Sequence, residues 1–224
     1  MANVMEVWLP LAALALVQSS FGLSVSLLTL MSGHTLGRKA SQLRLVGLSL
    51  CYVLGACLTV SALTLAAGTL VNLSHLAGQS WAWPVVAILL AIDGLAISLF
   101  YYRGGAGTRL WLPRRTAKWL AERAKKTRYG FEAFLLAVGS IVTEMLFILA
   151  PIVAGALLLT GQTAGWQTVG RLGYSLIVTL PLLSLAILIA GGHRVSALQK
   201  WRETNKRFLQ IAAGILLIIL AIYL

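Results

Sequence analysis

Two acidic residues stand inside long apolar runs, where an ionised side chain is costly. Asp93 lies within residues 82–102 and Glu144 within residues 131–159. Neither run carries a Lys, Arg or His at the same depth that could pair with the acid. A carboxylate in the middle of a bilayer is strongly unfavourable unless it is neutralised, hydrated or paired. The two acids therefore predict a polar cavity, or a site that carries protons or cations.

Polar residues on the first apolar run fit the same hypothesis. The serines at 19, 20, 24 and 26, together with Gln18, are predicted to line a polar pathway that faces Glu144. The alternative is that small residues at this spacing serve close packing between helices in lipid. For each acid the alternative is a neutral carboxyl group hydrogen-bonded to a neighbouring helix. The predicted substrate-binding or ion-binding residues are Glu144, Asp93, Ser20, Ser24 and Thr143.

Other kinds of chemistry find little support in the sequence. The three histidines lie in loops without metal-ligand spacing, and no glycine-rich phosphate loop, Ser-His-Asp set or CxxC motif is present. Cys51 and Cys57 are six residues apart in one apolar run, which on a helix separates them by about 9 Å along the axis. The sequence therefore predicts no disulfide, no metal or cofactor site and no enzymatic activity.

The elements that position these residues are membrane-spanning helices. The chain has 224 residues, of which 59% are hydrophobic and 11% charged, whereas a soluble domain has about 25% charged residues. Apolar runs of about 20 residues cross a bilayer as helices, and the first, second and fourth runs are long enough to require tilt or a break. The predicted fold is an all-α membrane protein with six spans at 7–32, 43–71, 82–102, 131–159, 169–191 and 208–224.

The loops predict an orientation. Seventeen of the 18 basic residues fall in loops 33–44, 103–130 and 192–207, and Arg171 is the exception. Basic loops stay in the cytoplasm, so both termini are predicted to lie outside a plasma or inner membrane. The same rule explains the net charge of +12 without nucleic-acid binding.

The third loop divides the chain into two halves, 1–102 and 131–224, joined by a basic cytoplasmic connector, 103–130. Three spans per half give the halves opposite orientations, which is a common design of transporters. Residues 116–128 of the connector are predicted to form a helix on the inner leaflet. This helix is either a gate or partner-docking segment, or a solvated connector.

Several stretches resemble the membrane domain of one known family. Met31–Lys39, Tyr52–Thr59, Leu149–Leu159 and Leu180–Leu182 are similar to the thiol-disulfide interchange and cytochrome c biogenesis family (DsbD/CcdA-like). The wider group includes the lysine-exporter superfamily. The resemblance implies two inverted three-helix halves.

The family transfers electrons through one cysteine in the first helix of each half. The resemblance places Leu23 and Phe147 at these two positions, and neither is a thiol. The resemblance therefore implies the fold without the redox chemistry.

Two functional hypotheses follow. The first is an exporter-like secondary transporter that moves a small solute or cation by alternating access. The second is a redox-inactive CcdA-like membrane subunit that works with a membrane or redox-protein partner in cytochrome c or redox-protein maturation.

Overall fold

The structure is a computed structural model that describes residues 4–20, 22–33, 39–100, 102–103, 109–110, 114–191, 200–201 and 204–224. Parts of the predicted loops 33–44 and 192–207 and of the connector 103–130 lie outside the described residues.

The described residues are almost entirely helical, as the apolar runs predict. A bilayer favours helices because every backbone group must find its hydrogen-bond partner within the segment. The connector also contains a short antiparallel pair of strands, β1 (Tyr102–Arg103) and β2 (Arg109–Leu110). The helices are α1 (Val4–Ser19), α2 (Gly22–Gly33), α3 (Lys39–Leu73), α4 (Ala82–Phe100), α5 (Arg114–Lys126), α6 (Gly130–Thr143), α7 (Met145–Thr160), α8 (Ala164–Ala190) and α9 (Lys206–Tyr223).

Four of these helices, α3, α4, α8 and α9, are each long and apolar enough to cross a membrane. The pairs α1 with α2 and α6 with α7 pass the same test together, although the first pair is bent by 48° and the second by 81°. The chain is therefore a multi-pass membrane protein with four spans, or six if each bent pair forms one span. Tilt or a break was expected in the first, second and fourth predicted spans because of their length. The first and fourth correspond to the bent pairs, whereas the second is the continuous helix α3.

The break in the second half occurs at Glu144 and not at a proline. Pro151 lies inside α7 and Pro181 inside α8, and both helices continue through them. A proline inside a helix removes a backbone hydrogen bond and often kinks the helix. The structure instead places the sharp bend one residue after Thr143, where the backbone N–H of Glu144 already bonds to the Ser140 and Ile141 carbonyl oxygens.

Helix α8 begins at Ala164, five residues before the predicted start at 169. Arg171 consequently lies in the second turn of the helix, where its Nη2 donates to Gln167 Oε1 at 3.1 Å. The single basic residue that departs from the loop pattern is therefore held by a neighbour on its own helix.

The most extensive helix contacts join the first half of the chain to the second. Helix α4 packs on α9, α3 on α6, α7 and α8, α1 on α7 and α8, and α2 on α6 and α8. Gly94 and Gly214 allow the closest of these approaches, because a Cβ atom added at Gly94 would lie 2.7 Å from the Gly214 carbonyl oxygen. Large apolar side chains such as Leu70, Leu176 and Ile222 are more than half exposed, as expected for surfaces that face lipid.

Candidate functional site

The two bent helix pairs, α1 with α2 and α6 with α7, meet at Glu144. The backbone N–H of Leu23, at the start of α2, donates to Glu144 Oε1 at 3.1 Å, and the Glu144 side chain is buried. The first N–H groups of any helix lack partners within that helix, and the positive end of the helix dipole favours an anion or an acceptor there. Glu144 therefore supplies an acceptor to the first turn of α2.

A hydroxyl network lies next to this contact and joins α2, α3 and α6. Ser140 Oγ donates to the Ala137 carbonyl oxygen at 2.8 Å and lies 2.9 Å from Ser24 Oγ and 3.0 Å from the Tyr52 hydroxyl. A serine hydroxyl has one hydrogen to donate and two lone pairs to accept with. Because Ser140 uses its hydrogen on Ala137, the hydroxyls of Ser24 and Tyr52 are the donors to Ser140.

A second set of polar contacts ties α8 to the first half. The Tyr174 hydroxyl donates to Gln18 Oε1 at 2.6 Å, and Ser61 Oγ donates to Ser175 Oγ at 3.0 Å. Gln18, Tyr174 and Ser175 are all buried. These bonds cross between α1 and α8 and between α3 and α8, so the polar residues of both halves interact across one interface.

A small cavity lies at this interface. Its volume is about 30 Å³, and its polar lining consists of Gln18, Ser19, Ser24, Glu144 and Thr179. A buried water needs roughly 10–15 Å³ of such space and two to four polar partners. In this conformation the cavity is therefore large enough for one or two waters, and too small for an organic solute.

Asp93 lies at a different place. It is buried at the back of a groove of about 320 Å³ between α4 and α7, whose other lining residues are apolar. Its Oδ2 atom has no hydrogen-bond partner among the described residues. Phe147 forms part of the groove wall, so the groove lies beside the Glu144 region without sharing its cavity.

The predicted site residues are thus divided among several places. Glu144 and Ser24 line one cavity, and Asp93 lines the separate groove. Ser20 Oγ donates to the Val17 carbonyl oxygen, and Thr143 Oγ1 to that of Gly139; neither residue lines the cavity. Both hydroxyls instead bond to the preceding turn, which is common for Ser and Thr in helices.

Two tyrosines were missed as members of the polar interface. Tyr52 and Tyr174 are completely or almost completely buried. Tyrosines near the ends of membrane-spanning helices, by contrast, usually lie at the membrane–water interface. The available signal was their position well inside apolar runs, where a buried hydroxyl requires a partner. Within the described residues, no three His, Cys, Asp or Glu side chains come together as a metal site would require.

The chain is similar in sequence to two curated proteins. Residues covering 80% of the chain are 29% identical, over 185 aligned positions, to the thiol:disulfide interchange protein DsbD of Vibrio vulnificus strain CMCP6. The DsbD of strain YJ016 is 28% identical over the same length. The chain is distantly similar to DsbD. The comparisons thus support a DsbD/CcdA-like family.

The chain spans about a third of the length of these curated relatives, since the alignment covers 30% of each. No family model matches the chain, and no solved structure matches it. Leu23 and Phe147, the two residues that the sequence resemblance predicted at cysteine positions, both contact Glu144. Leu23 donates its backbone N–H to Oε1, and Phe147 donates its backbone N–H to the Glu144 carbonyl oxygen at 2.9 Å.

Proposed function

We propose that this chain is a DsbD/CcdA-like membrane subunit that assists the maturation of cytochrome c or of another redox protein, without passing electrons through its own thiols. The observation that carries the proposal is the contact between Leu23 and Glu144. The two broken helices meet at the positions where the resemblance expects cysteines, and a carboxylate and a backbone N–H stand there.

The two cysteines of the chain do not substitute for such a pair. Cys51 and Cys57 are both free and both lie on α3. A thiol pair that exchanges with a partner must bring its sulfur atoms within disulfide distance, and a separation of six residues on one helix prevents this. The subunit would therefore act by binding its partner.

The matched helix contacts support the inverted arrangement of halves that this proposal includes. Span one packs on span four, two on five and three on six, and the cross-contacts α1 with α8 and α3 with α6 also correspond to one another. A two-fold relation between the halves requires such pairs. The interface that it creates contains Glu144, Ser140 and Gln18.

The proposal is tested in cells from which the gene has been deleted. In the deletion strain we expect a lower amount of covalently bound haem c, or a changed thiol redox state of extracytoplasmic thioredoxin-like proteins. The wild-type gene should restore the normal level or state. The double variant Cys51→Ser/Cys57→Ser should restore the phenotype equally well. Failure of this variant, at normal protein level, would show that thiols are required, and an unchanged deletion strain would remove the proposal altogether.

A second candidate function is transport of a small solute or cation, in the export direction. The observation in its favour is that Glu144 lines a cavity with Gln18, Ser24 and Thr179. This function is tested by measuring proton and Na⁺ flux into liposomes that contain the pure protein. The variants Glu144→Gln and Asp93→Asn are compared with the variant Glu122→Gln. Glu122 is an exposed acid on α5 and serves as the control. Flux that equals that of empty liposomes, or that neither Glu144→Gln nor Asp93→Asn changes, would contradict this function.

A further inference from the structure

The connector helix α5 has two faces of opposite character. Leu120 and Ala124 are buried against the rest of the protein, and α5 contacts both α2 and α6. The approach to α6 is close, because a Cβ atom added at Gly139 would lie 3.0 Å from Leu120 Cδ2. The opposite face carries exposed basic residues, so α5 is fixed in place with part of its charge directed outward.

A pocket of about 130 Å³ lies between the end of α5 and the start of α6, and we call it the α5–α6 pocket. Two cations, Arg123 and Lys126, line it together with the indole of Trp119. The Arg123 guanidinium carbon lies 6.0 Å from the centre of the Trp119 ring, at the outer limit of a cation–π contact. The remaining walls include the apolar side chains of Leu135 and Leu136.

One acid, Glu132, also lines the pocket. Its Oε2 accepts the backbone N–H of Arg128 at 2.9 Å, and the Arg128 carbonyl oxygen accepts Arg44 Nη2 at 2.8 Å. The carboxylate is therefore already engaged at the turn into α6. The formal charge of the lining is +1, from two bases and one acid, which favours an anionic ligand.

The neighbourhood of the pocket is apolar on one side. Leu135 is 51% exposed, and Phe131, one turn earlier on the same helix, is 71% exposed. In a membrane-spanning helix such side chains face acyl chains. Trp119 and Tyr129 are also more than half exposed, and amphipathic rings of this kind favour the headgroup region.

We propose that the α5–α6 pocket binds the phosphate of an anionic phospholipid, with the headgroup on Arg123 and Lys126 and an acyl chain along Leu135 and Phe131. Basic pockets beside membrane helices bind anionic headgroups, and a free phosphate ion would leave the apolar side of the site unused. Because α5 packs on α2 and α6, the lipid would anchor the helix that covers the inner parts of both broken spans. This inference does not depend on the proposed function.

The test measures binding of phosphatidylglycerol to the purified full chain, by native mass spectrometry and by the shift of its melting temperature in detergent. Phosphatidylcholine and inorganic phosphate are the comparison ligands. We expect phosphatidylglycerol alone to be retained. The variant Arg123→Gln/Lys126→Gln should bind it about 30-fold more weakly, from roughly fivefold for each base.

The matched control is Arg115→Gln/Lys125→Gln, which removes one Arg and one Lys from the same helix. Both residues are exposed and neither lines the pocket, so this variant should bind like the wild type. Equal losses in the two variants would show general attraction to the basic helix and overturn the proposal. So would equal binding of phosphatidylcholine, or stabilisation by inorganic phosphate as large as that by the lipid. The single variant Lys126→Gln, expected to lose about fivefold, provides a second measurement should the double variant fold poorly.

Discussion

Replacing Ser140 by Ala tests the hydroxyl network that joins α2, α3 and α6. Ser140 is completely buried, and its oxygen accepts hydrogen bonds from Ser24 and Tyr52. Alanine removes both bonds and leaves two buried donors without this acceptor. Interhelical hydrogen bonds in membrane proteins contribute about 0.6 kcal/mol on average and up to roughly 1.7 kcal/mol. Two such bonds predict a loss of about 1–3 kcal/mol in the free energy of unfolding.

The free energy of unfolding is measured in mixed micelles by titration with denaturing detergent. The control is Ser184→Ala, because Ser184 is exposed and its hydroxyl donates to the Leu180 carbonyl oxygen of its own helix. We expect this control to change stability by less than about 0.5 kcal/mol.

A double-mutant cycle with Tyr52→Phe isolates the bond between the two side chains. Each single variant already loses the contact between Tyr52 and Ser140, so the double variant should cost at least about 0.5 kcal/mol less than the sum. If Ser140→Ala and Ser184→Ala have the same effect, or if the cycle is additive, the assigned network is wrong.

Three further predictions follow from other contacts. Tyr174→Phe removes the bond to Gln18 Oε1 and should lower the free energy of unfolding by about 0.6–1.7 kcal/mol, whereas Tyr223→Phe, at an exposed site, should have no measurable effect in the same titration. Gly214→Ala places a methyl group against Ser98 Oγ and the Gly94 carbonyl oxygen and should lower the free energy of unfolding by about 1–3 kcal/mol. The control Gly47→Ala, with open space around it, should raise this free energy or leave it unchanged. Equal effects would contradict the close α4–α9 packing. The orientation in the membrane is tested by labelling with a membrane-impermeant maleimide in a Cys51→Ser/Cys57→Ser background. Thr163→Cys should be labelled in intact cells, and Lys118→Cys only after permeabilisation. The reverse pattern would show that the predicted topology is inverted.

The positions of the helices could be predicted because burial in lipid imposes a simple requirement on composition. A span must be apolar along its length, so α3, α4, α8 and α9 appear in the sequence as apolar runs. The excess length of the first, second and fourth runs indicated tilt or a break, and a bend occurs in the first and fourth. Its place in the fourth run could not be predicted from local sequence, since Pro151 was the obvious candidate. The break lies instead at Glu144, whose side chain accepts a hydrogen bond from Leu23, 121 residues away.

The candidate site was less predictable for the same reason. Asp93 and Glu144 are equally conspicuous in the sequence, yet one lies in an apolar groove and the other caps a helix. The serines on one run could not be ranked without the opposite helix. Ser24 meets Ser140, while Ser20 bonds to its own preceding turn. Long-range partners, which a single run does not encode, decide which polar residue belongs to the site.

The capping role of Glu144 changes how the two candidate functions should be weighed. A helix that starts within a membrane has N–H groups that water cannot reach, and each unsatisfied group is costly. Leu23 needs an acceptor and the buried Glu144 carboxyl group needs a donor, so each break is stabilised by the other. This structural role is sufficient to explain an acid in the fourth span. A transporter that couples through Glu144 would have to break this bond in every cycle, whereas a partner-binding subunit can keep it intact.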